Sequence, residues 1–179
     1  YKAVGIGPGT GVSKGVRTLL GNVLSSKVPC VIDADALNIL SAHPELTELL
    51  HEQCVLTPHP KEFERLAGIG KNSLDRLNKA VRFAKNHHCC LVLKDAITAV
   101  IHPNGTVYFN TTGNPGMAKG GSGDVLTGII LGCLAQGMKP FDGACTAVFN
   151  HGLAGDKAKE LKGERAMLPR DLIANLCID

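Results

Sequence analysis

Apolar positions along the chain form short runs separated by segments of helical periodicity. Lys2 to Ile6 reads as a strand and enters the turn Gly7-Pro8-Gly9-Thr10-Gly11. Val12, Val16, Leu19, Leu20 and Val23 then share one face at helical spacing, which predicts an amphipathic helix. Val28 to Ile32 reads as a second strand closing on Asp33-Ala34-Asp35, and Ala36 to Leu40 and Leu46 to His51 as short helices. Cys54 to Leu56 is a third strand. It leads into Thr57-Pro58-His59-Pro60, where Pro60 suits the first turn of a helix carrying Phe63 and Leu66. Leu74 to Lys85 predicts another amphipathic helix, followed by strands at Cys90 to Leu93 and Ile97 to Ile101. Asn104-Gly105 is a hairpin-type turn into Val107 to Phe109. The remainder is helical by pattern: Asp124 to Ala135, Phe141 to Leu161 and Pro169 to Leu176.

Alternating strands and helices predict an α/β domain whose mostly parallel sheet is joined by right-handed crossovers. The early strands are apolar throughout, as strands are when helices cover both faces of a sheet. Ligands of such sheets gather at the carboxyl ends of the strands. Four unusual segments sit there: Gly7 to Gly11, Asp33 to Asn38, Thr57 to Glu62 and Lys94 to Thr98.

Composition narrows the field. The chain has 179 residues, the size of roughly one domain. Nineteen Lys and Arg against sixteen Asp and Glu leave a net charge of +3, too small and too scattered to argue for a nucleic-acid partner. No apolar run approaches the ~18 residues of a membrane span, so no membrane partner is expected. The opening Tyr1-Lys2-Ala3-Val4 lacks a signal-peptide layout. The seven cysteines are odd in number, form no Cys-x-x-Cys pair and mostly lie in apolar runs, which predicts reduced thiols in a cytoplasmic protein. His87-His88-Cys89-Cys90 carries metal-liking side chains, but neighbours on a strand point to opposite faces, so no metal site is expected there or elsewhere.

The most informative stretch is Gly113-Asn114-Pro115-Gly116-Met117-Ala118-Lys119-Gly120-Gly121-Ser122-Gly123-Asp124, which opens onto the apolar run Val125, Leu126, Ile129, Ile130 and Cys133. Glycine backbone can wrap an anion, and the helix that follows offers unpaired N–H groups and the positive end of its dipole. A phosphate whose charge grows during transfer belongs in such a place. The glycines ahead of Asp124 set it apart from an ordinary helix cap, which needs none. Neither the P-loop pattern nor a strict G-x-G-x-x-G occurs, which argues against P-loop hydrolysis and a Rossmann dinucleotide site. Asp33 and Asp35 admit two readings, a metal pair or a strand-end turn with Asp35 capping the next helix.

These segments resemble the ADP-dependent NAD(P)H-hydrate dehydratase family of the ribokinase-like superfamily. The matching strings are GIGPGTG from Gly5, DADALN from Asp33, TPHPKEFERL from Thr57, LKDAITAV from Leu93, TGNPGMAKGGSGDVLTGII from Thr112, LAQG from Leu134 and HGLAGDKA from His151. The resemblance implies a ribokinase-like, three-layer α/β/α fold with a mostly parallel sheet. It also implies an N-terminal part of the domain that residues 1–179 do not include, and hence poor substrate binding by this stretch alone.

The implied activity is repair of hydrated NADH and NADPH: a nucleotide is consumed to remove water from the S epimer. Phosphoryl transfer would turn the ring hydroxyl into a good leaving group, and elimination would restore the conjugated ring. By resemblance Asp124 contacts that hydroxyl, and Gly121, Ser122 and Gly123 supply N–H donors to the moving phosphate. An aspartate is a weak base at neutral pH, so Asp124 orients the hydroxyl and takes its proton late. Lys94, Asp95, Ala96, Ile97 and Thr98, with Gly123, match the nucleotide site; Gly7, Gly9 and His59, with Asp124, match the site for the hydrated cofactor. Asp95 stands where the family commonly has Gly and brings an extra carboxylate to the nucleotide loop.

ADP is the expected co-substrate, with ATP as the other nucleotide. Mg2+ would be bound mainly through nucleotide phosphates. A homo-oligomer, a tetramer by resemblance, and a fused or separate epimerase partner complete the expectations. A vitamin or sugar kinase of the same fold, or a non-catalytic nucleotide-binding domain, would use the glycine loop in the same way.

Overall fold

The structure, a computed structural model, describes residues 2–177. Six short strands form one sheet in sequence order: β1 (Val4–Ile6), β2 (Cys30–Ile32), β3 (Cys54–Leu56), β4 (Cys90–Leu93), β5 (Ala99–Ile101) and β6 (Val107–Phe109). The first four pair in parallel, with Val31 opposite both Gly5 and Val55. β4, β5 and β6 pair antiparallel. The central strands are buried along their whole length, the apolar pattern expected of strands covered on both faces.

Alternation along the strands divides the core in two. Cys30, Ile32, Cys54, Leu56, Leu91 and Ile101 face one layer, built from α1 (Lys14–Ser25), α2 (Ala34–Ala42), α4 (Pro60–Ala67) and α5 (Ser73–Asn86). Val31, Val55, Cys90, Val92 and Val100 face the other, where α6 (Ser122–Ala135) and α7 (Pro140–Lys162) pack. The short helices α3 (Pro44–Thr47) and α8 (Pro169–Ala174) complete the set. This is a three-layer α/β/α sandwich. Among the described residues no helix is long and apolar enough to cross a membrane.

Three local readings need correction. The helix expected over Leu46 to His51 is the shorter Pro44–Thr47, started by Pro44 in its first turn. Beyond it the chain closes through i→i+3 bonds from Leu49 to Leu46 and from Leu50 to Thr47, too tight to continue as α-helix. The strand expected from Ile97 begins at Ala99, because residues 94–98 form the bend between β4 and β5. Asp35 does not cap α2: Asp33 occupies the cap position, and Asp35 sits in the first turn.

Phe63 anchors the α1–α5 layer, fully buried and edge-on to Phe83 with ring centres 6.1 Å apart. Phe63→Ala should lower the unfolding free energy by about 3–5 kcal/mol, read from urea denaturation. A loss well below ~1 kcal/mol would contradict this packing.

Candidate active site at the carboxyl ends of the strands

The parallel strands end side by side, and their loops meet backbone to backbone. Gly7, just past β1, has φ +132°, and a Cβ there would fall 1.7 Å from the Asp33 carbonyl oxygen. Only glycine lets the β1 and β2 loops approach this closely. Thr10 closes the β1 turn by donating from its hydroxyl to the Gly7 carbonyl at 3.0 Å. Gly9, at φ +65°, faces open space, and the Gly11 N–H donates to Asp35 Oδ2 at 2.8 Å. Ala34 is left-handed, with φ +47°, a strain of roughly 1–2 kcal/mol.

Asp33 is buried, 2% exposed, and both its oxygens are engaged. Oδ1 accepts from Lys94 Nζ at 2.9 Å, and Oδ2 accepts from the Thr127 hydroxyl at 2.6 Å. One carboxylate therefore ties β2, the loop after β4 and α6 together. Lys94 lies under the glycine loop: a Cβ on Gly123 would start 3.4 Å from its Nζ.

The loop is clamped from outside. Lys119 Nζ donates to the carbonyls of Glu164, Arg165 and Met167 at 3.1, 2.8 and 2.6 Å, fastening the loop to the segment before α8. Asp156 on α7 accepts from the Gly113 N–H and from Asn114 Nδ2 at 2.9 and 3.0 Å. On the same helix, Gly152 and Gly155 receive the loop, where added Cβ atoms would strike Thr112 Oγ1 and Met117 Sδ. Gly121, at φ +92°, occupies the cap position of α6. The Ser122 N–H is turned to the Lys119 carbonyl at 3.2 Å, so in this conformation it is not among the donors open to a phosphate. The N–H groups of Gly123 and Asp124 remain in the first turn, where no intrahelical acceptor exists.

A cavity of about 620 Å³ opens beside this helix end, between the bend after β4 and α7. Its walls include Lys94, Asp95, Ala96, Thr98, Ser122, Gly123 and His59. Gly7, Gly9, Gly121, Asp124 and Ile97 are not among them. Ile97 is 61% exposed. The Asp124 side chain is exposed at the first turn of α6, outside the cavity. The Asp95 carboxylate is already answered: Oδ2 lies 3.2 Å from Arg76, which also reaches Glu64, and Oδ1 accepts from the Ala96 N–H. His59 caps α4, its Nδ1 accepting from the N–H groups of Lys61 and Glu62 while Glu62 Oε2 accepts from the His59 N–H.

His151, which its helical pattern leaves as packed or surface-exposed, lines the cavity with Asn110, Thr112 and Asn114. It is buried, and its Nε2 has no hydrogen-bond partner. Burial lowers its pKa to about 4; a backbone hydrogen bond at Ser122 works against the shift, and the Lys94 charge adds to it. His151 is neutral at pH 7 and presents an unpaired ring nitrogen near the mouth of the glycine loop.

The sequence pattern of the family described as NAD(P)H-hydrate dehydratase matches residues 1–177. The chain belongs to the NAD(P)H-hydrate dehydratase family. It is 46% identical over 171 residues to the bifunctional NAD(P)H-hydrate repair enzyme Nnr of Moorella thermoacetica, covering 94% of this chain and 32% of that one. It is 42% identical over 170 residues to the ADP-dependent (S)-NAD(P)H-hydrate dehydratase of Neisseria meningitidis, covering 92% of this chain and 57% of that one. The crystal structure of the Bacillus subtilis ADP/ATP-dependent NAD(P)H-hydrate dehydratase, co-crystallised with ATP and Mg2+, superposes with a TM-score of 0.82 at 31% identity. It covers 98% of this chain and 64% of that one. The fold is ribokinase-like, and the chain spans between about a third and two-thirds of the length of these relatives.

His151 yields a pH signature. Its folded-state value lies below the unfolded one, so its contribution to stability is complete above pH ~6.5 and is lost as pH falls towards about 4. Unfolding free energies at pH about 7 and about 4 should differ by up to roughly 3 kcal/mol more in the unaltered protein than in His151→Gln. Equal differences would contradict a buried neutral imidazole.

Proposed function

We propose that this chain forms the nucleotide-using part of an ADP-dependent (S)-NAD(P)H-hydrate dehydratase. The observation that carries the reading is the glycine loop: it opens α6 directly between Lys94 and an exposed Asp124, at the edge of a nucleotide-sized cavity. The adenylate occupies the cavity between residues 94–98 and α7, and its phosphates reach Gly123 and Lys94. The hydrated nicotinamide ring lies on the outer side, over Gly7, Gly9 and His59, with its hydroxyl against Asp124. The names of the Neisseria and Bacillus relatives support both the substrate and the nucleotide.

The terminal phosphoryl group of ADP passes to the ring hydroxyl oxygen, AMP leaves, and Asp124 takes the hydroxyl proton. The new C–O–P linkage then breaks at its C–O bond, inorganic phosphate departs, and loss of a proton from the adjacent ring carbon restores the double bond. Phosphoryl transfer depends on positioning and charge stabilisation more than on a strong base. The chain supplies both: Lys94 is held in place by Asp33, and the N–H groups at the α6 terminus face the phosphate. Neutral His151 adds a wall group without adding charge.

Magnesium, when bound with the nucleotide, neutralises phosphate charge. Asp33 is engaged by Lys94 and Thr127, and Asp95 by Arg76, so the site offers no carboxylate cage. That fits an ion held mainly by phosphate oxygens and water. An epimerase activity, fused or separate, would supply the S epimer; the bifunctional relatives support this.

Incubating the full-length protein with hydrated NADH and ADP should restore the NADH absorbance band. Asp124→Asn should slow that recovery by about 10²–10⁴-fold while leaving ADP binding intact. Undiminished recovery in the variant, or phosphorylation of a vitamin alcohol with no NADH recovered, would overturn the reading.

A further inference from the structure

At the amino-terminal ends of the strands, away from the glycine loop, lies a buried cluster that the proposed reaction does not use. Cys30 begins β2 and Cys54 begins β3, and the parallel register sets them side by side. Their sulfurs are 3.5 Å apart. Zinc–sulfur bonds of about 2.3 Å at a tetrahedral angle place two thiolates about 3.8 Å apart, close to this spacing. His51 ends the loop leading into β3, and its carbonyl accepts from the Cys54 N–H at 2.9 Å. One of its ring nitrogens and the two sulfurs all lie within 4.8 Å of one another.

A second observation points to a ligand. His51 is 9% exposed, and its buried Nε2 has no hydrogen-bond partner. Such a group is costly to leave unsatisfied, by about 1–3 kcal/mol, and a metal ion is one thing that satisfies it. Nδ1 accepts a long 3.3 Å bond from the Gln53 N–H. Ligation through Nε2 requires the proton on Nδ1, so this weak contact must yield. Cys89, fully buried just before β4, lies in the same layer but is not one of the three groups whose ligand atoms come within 4.8 Å of one another. Its neighbour Cys90 faces the other layer, so the cluster draws no thiol from the His-His-Cys-Cys run.

We propose that Cys30, His51 and Cys54 bind a zinc ion at the amino-terminal ends of β2 and β3, a water molecule completing the tetrahedron. Soft thiolates with one imidazole suit zinc over magnesium or calcium. Each thiol gives its proton to solvent as its Zn–S bond forms, so uptake releases protons. The ion would pin β2 and β3 together behind the strand ends that carry Asp33 and His59. The inference does not rest on the proposed reaction.

The test is metal analysis of the full-length protein expressed with zinc in the medium and purified without chelator. One zinc per chain is expected. Replacing zinc with Co2+ in the unaltered protein should give the visible bands of tetrahedral cobalt and the near-ultraviolet thiolate charge-transfer band. Adding zinc to metal-free protein should release protons and raise its melting temperature. Cys54→Ser and His51→Asn should lose the zinc and the cobalt bands while keeping ADP binding, which reports that they fold. Protein that carries no zinc and gives no cobalt bands would overturn the proposal. So would variants that fold and retain the metal, or a Cys30–Cys54 disulfide, detected as a loss of two hydrogens in mass, in freshly isolated protein.

Discussion

A single buried carboxylate organises the carboxyl end of this sheet. Asp33 ends β2 with both oxygens committed, one to Lys94 and one to Thr127. A carboxylate removed from water is tolerated only when it is paired and hydrogen-bonded. Meeting that need draws the loop after β4 and the second turn of α6 onto the end of β2. The lysine is thereby held against the glycine loop, where mobile phosphate oxygens would otherwise have to order it. The strained Ala34 and the side-chain-free Gly7 follow from the same constraint, since the β1 and β2 loops must touch for Asp33 to reach inward.

The glycine loop is correspondingly rigid. Its own glycines would leave it mobile, but Lys119 bonds three carbonyls ahead of α8, and Asp156 bonds the loop's start. Lys119, within the glycine loop, is thus fully occupied as a brace. The charge that lies beside Gly123 is that of Lys94, on a different loop. Preorganised donors of this kind stabilise developing charge without having to reorganise during the reaction.

Sequence patterning located the strands, most helices and the strand-end loops because apolar runs and glycine or proline punctuation are local signals. Cys54–Leu56, Cys90–Leu93 and Val107–Phe109 stand where the pattern puts them. Features set by distant partners stayed hidden. The Asp33–Thr127 bond joins residues 94 positions apart. His151 lies in a helix whose pattern marks it only as a small-residue, buried stretch, and its place in the cavity depends on how α7 packs. The relief of Asp95 by Arg76 and the meeting of Cys30, His51 and Cys54 likewise arise from pairing between elements, which no single-strand pattern encodes.

The central claim is that Asp33 holds Lys94 where nucleotide phosphates bind. The most direct measurement compares ADP and adenosine binding by calorimetry in the full-length protein and in the double variant Lys94→Met, Asp33→Asn. That variant removes both charges and leaves no carboxylate unpaired. ADP affinity should fall by about tenfold or more, as loss of a charged hydrogen bond implies, while adenosine, which has no phosphate, binds as before. ADP affinity that does not change, or that falls in step with adenosine, would contradict the account.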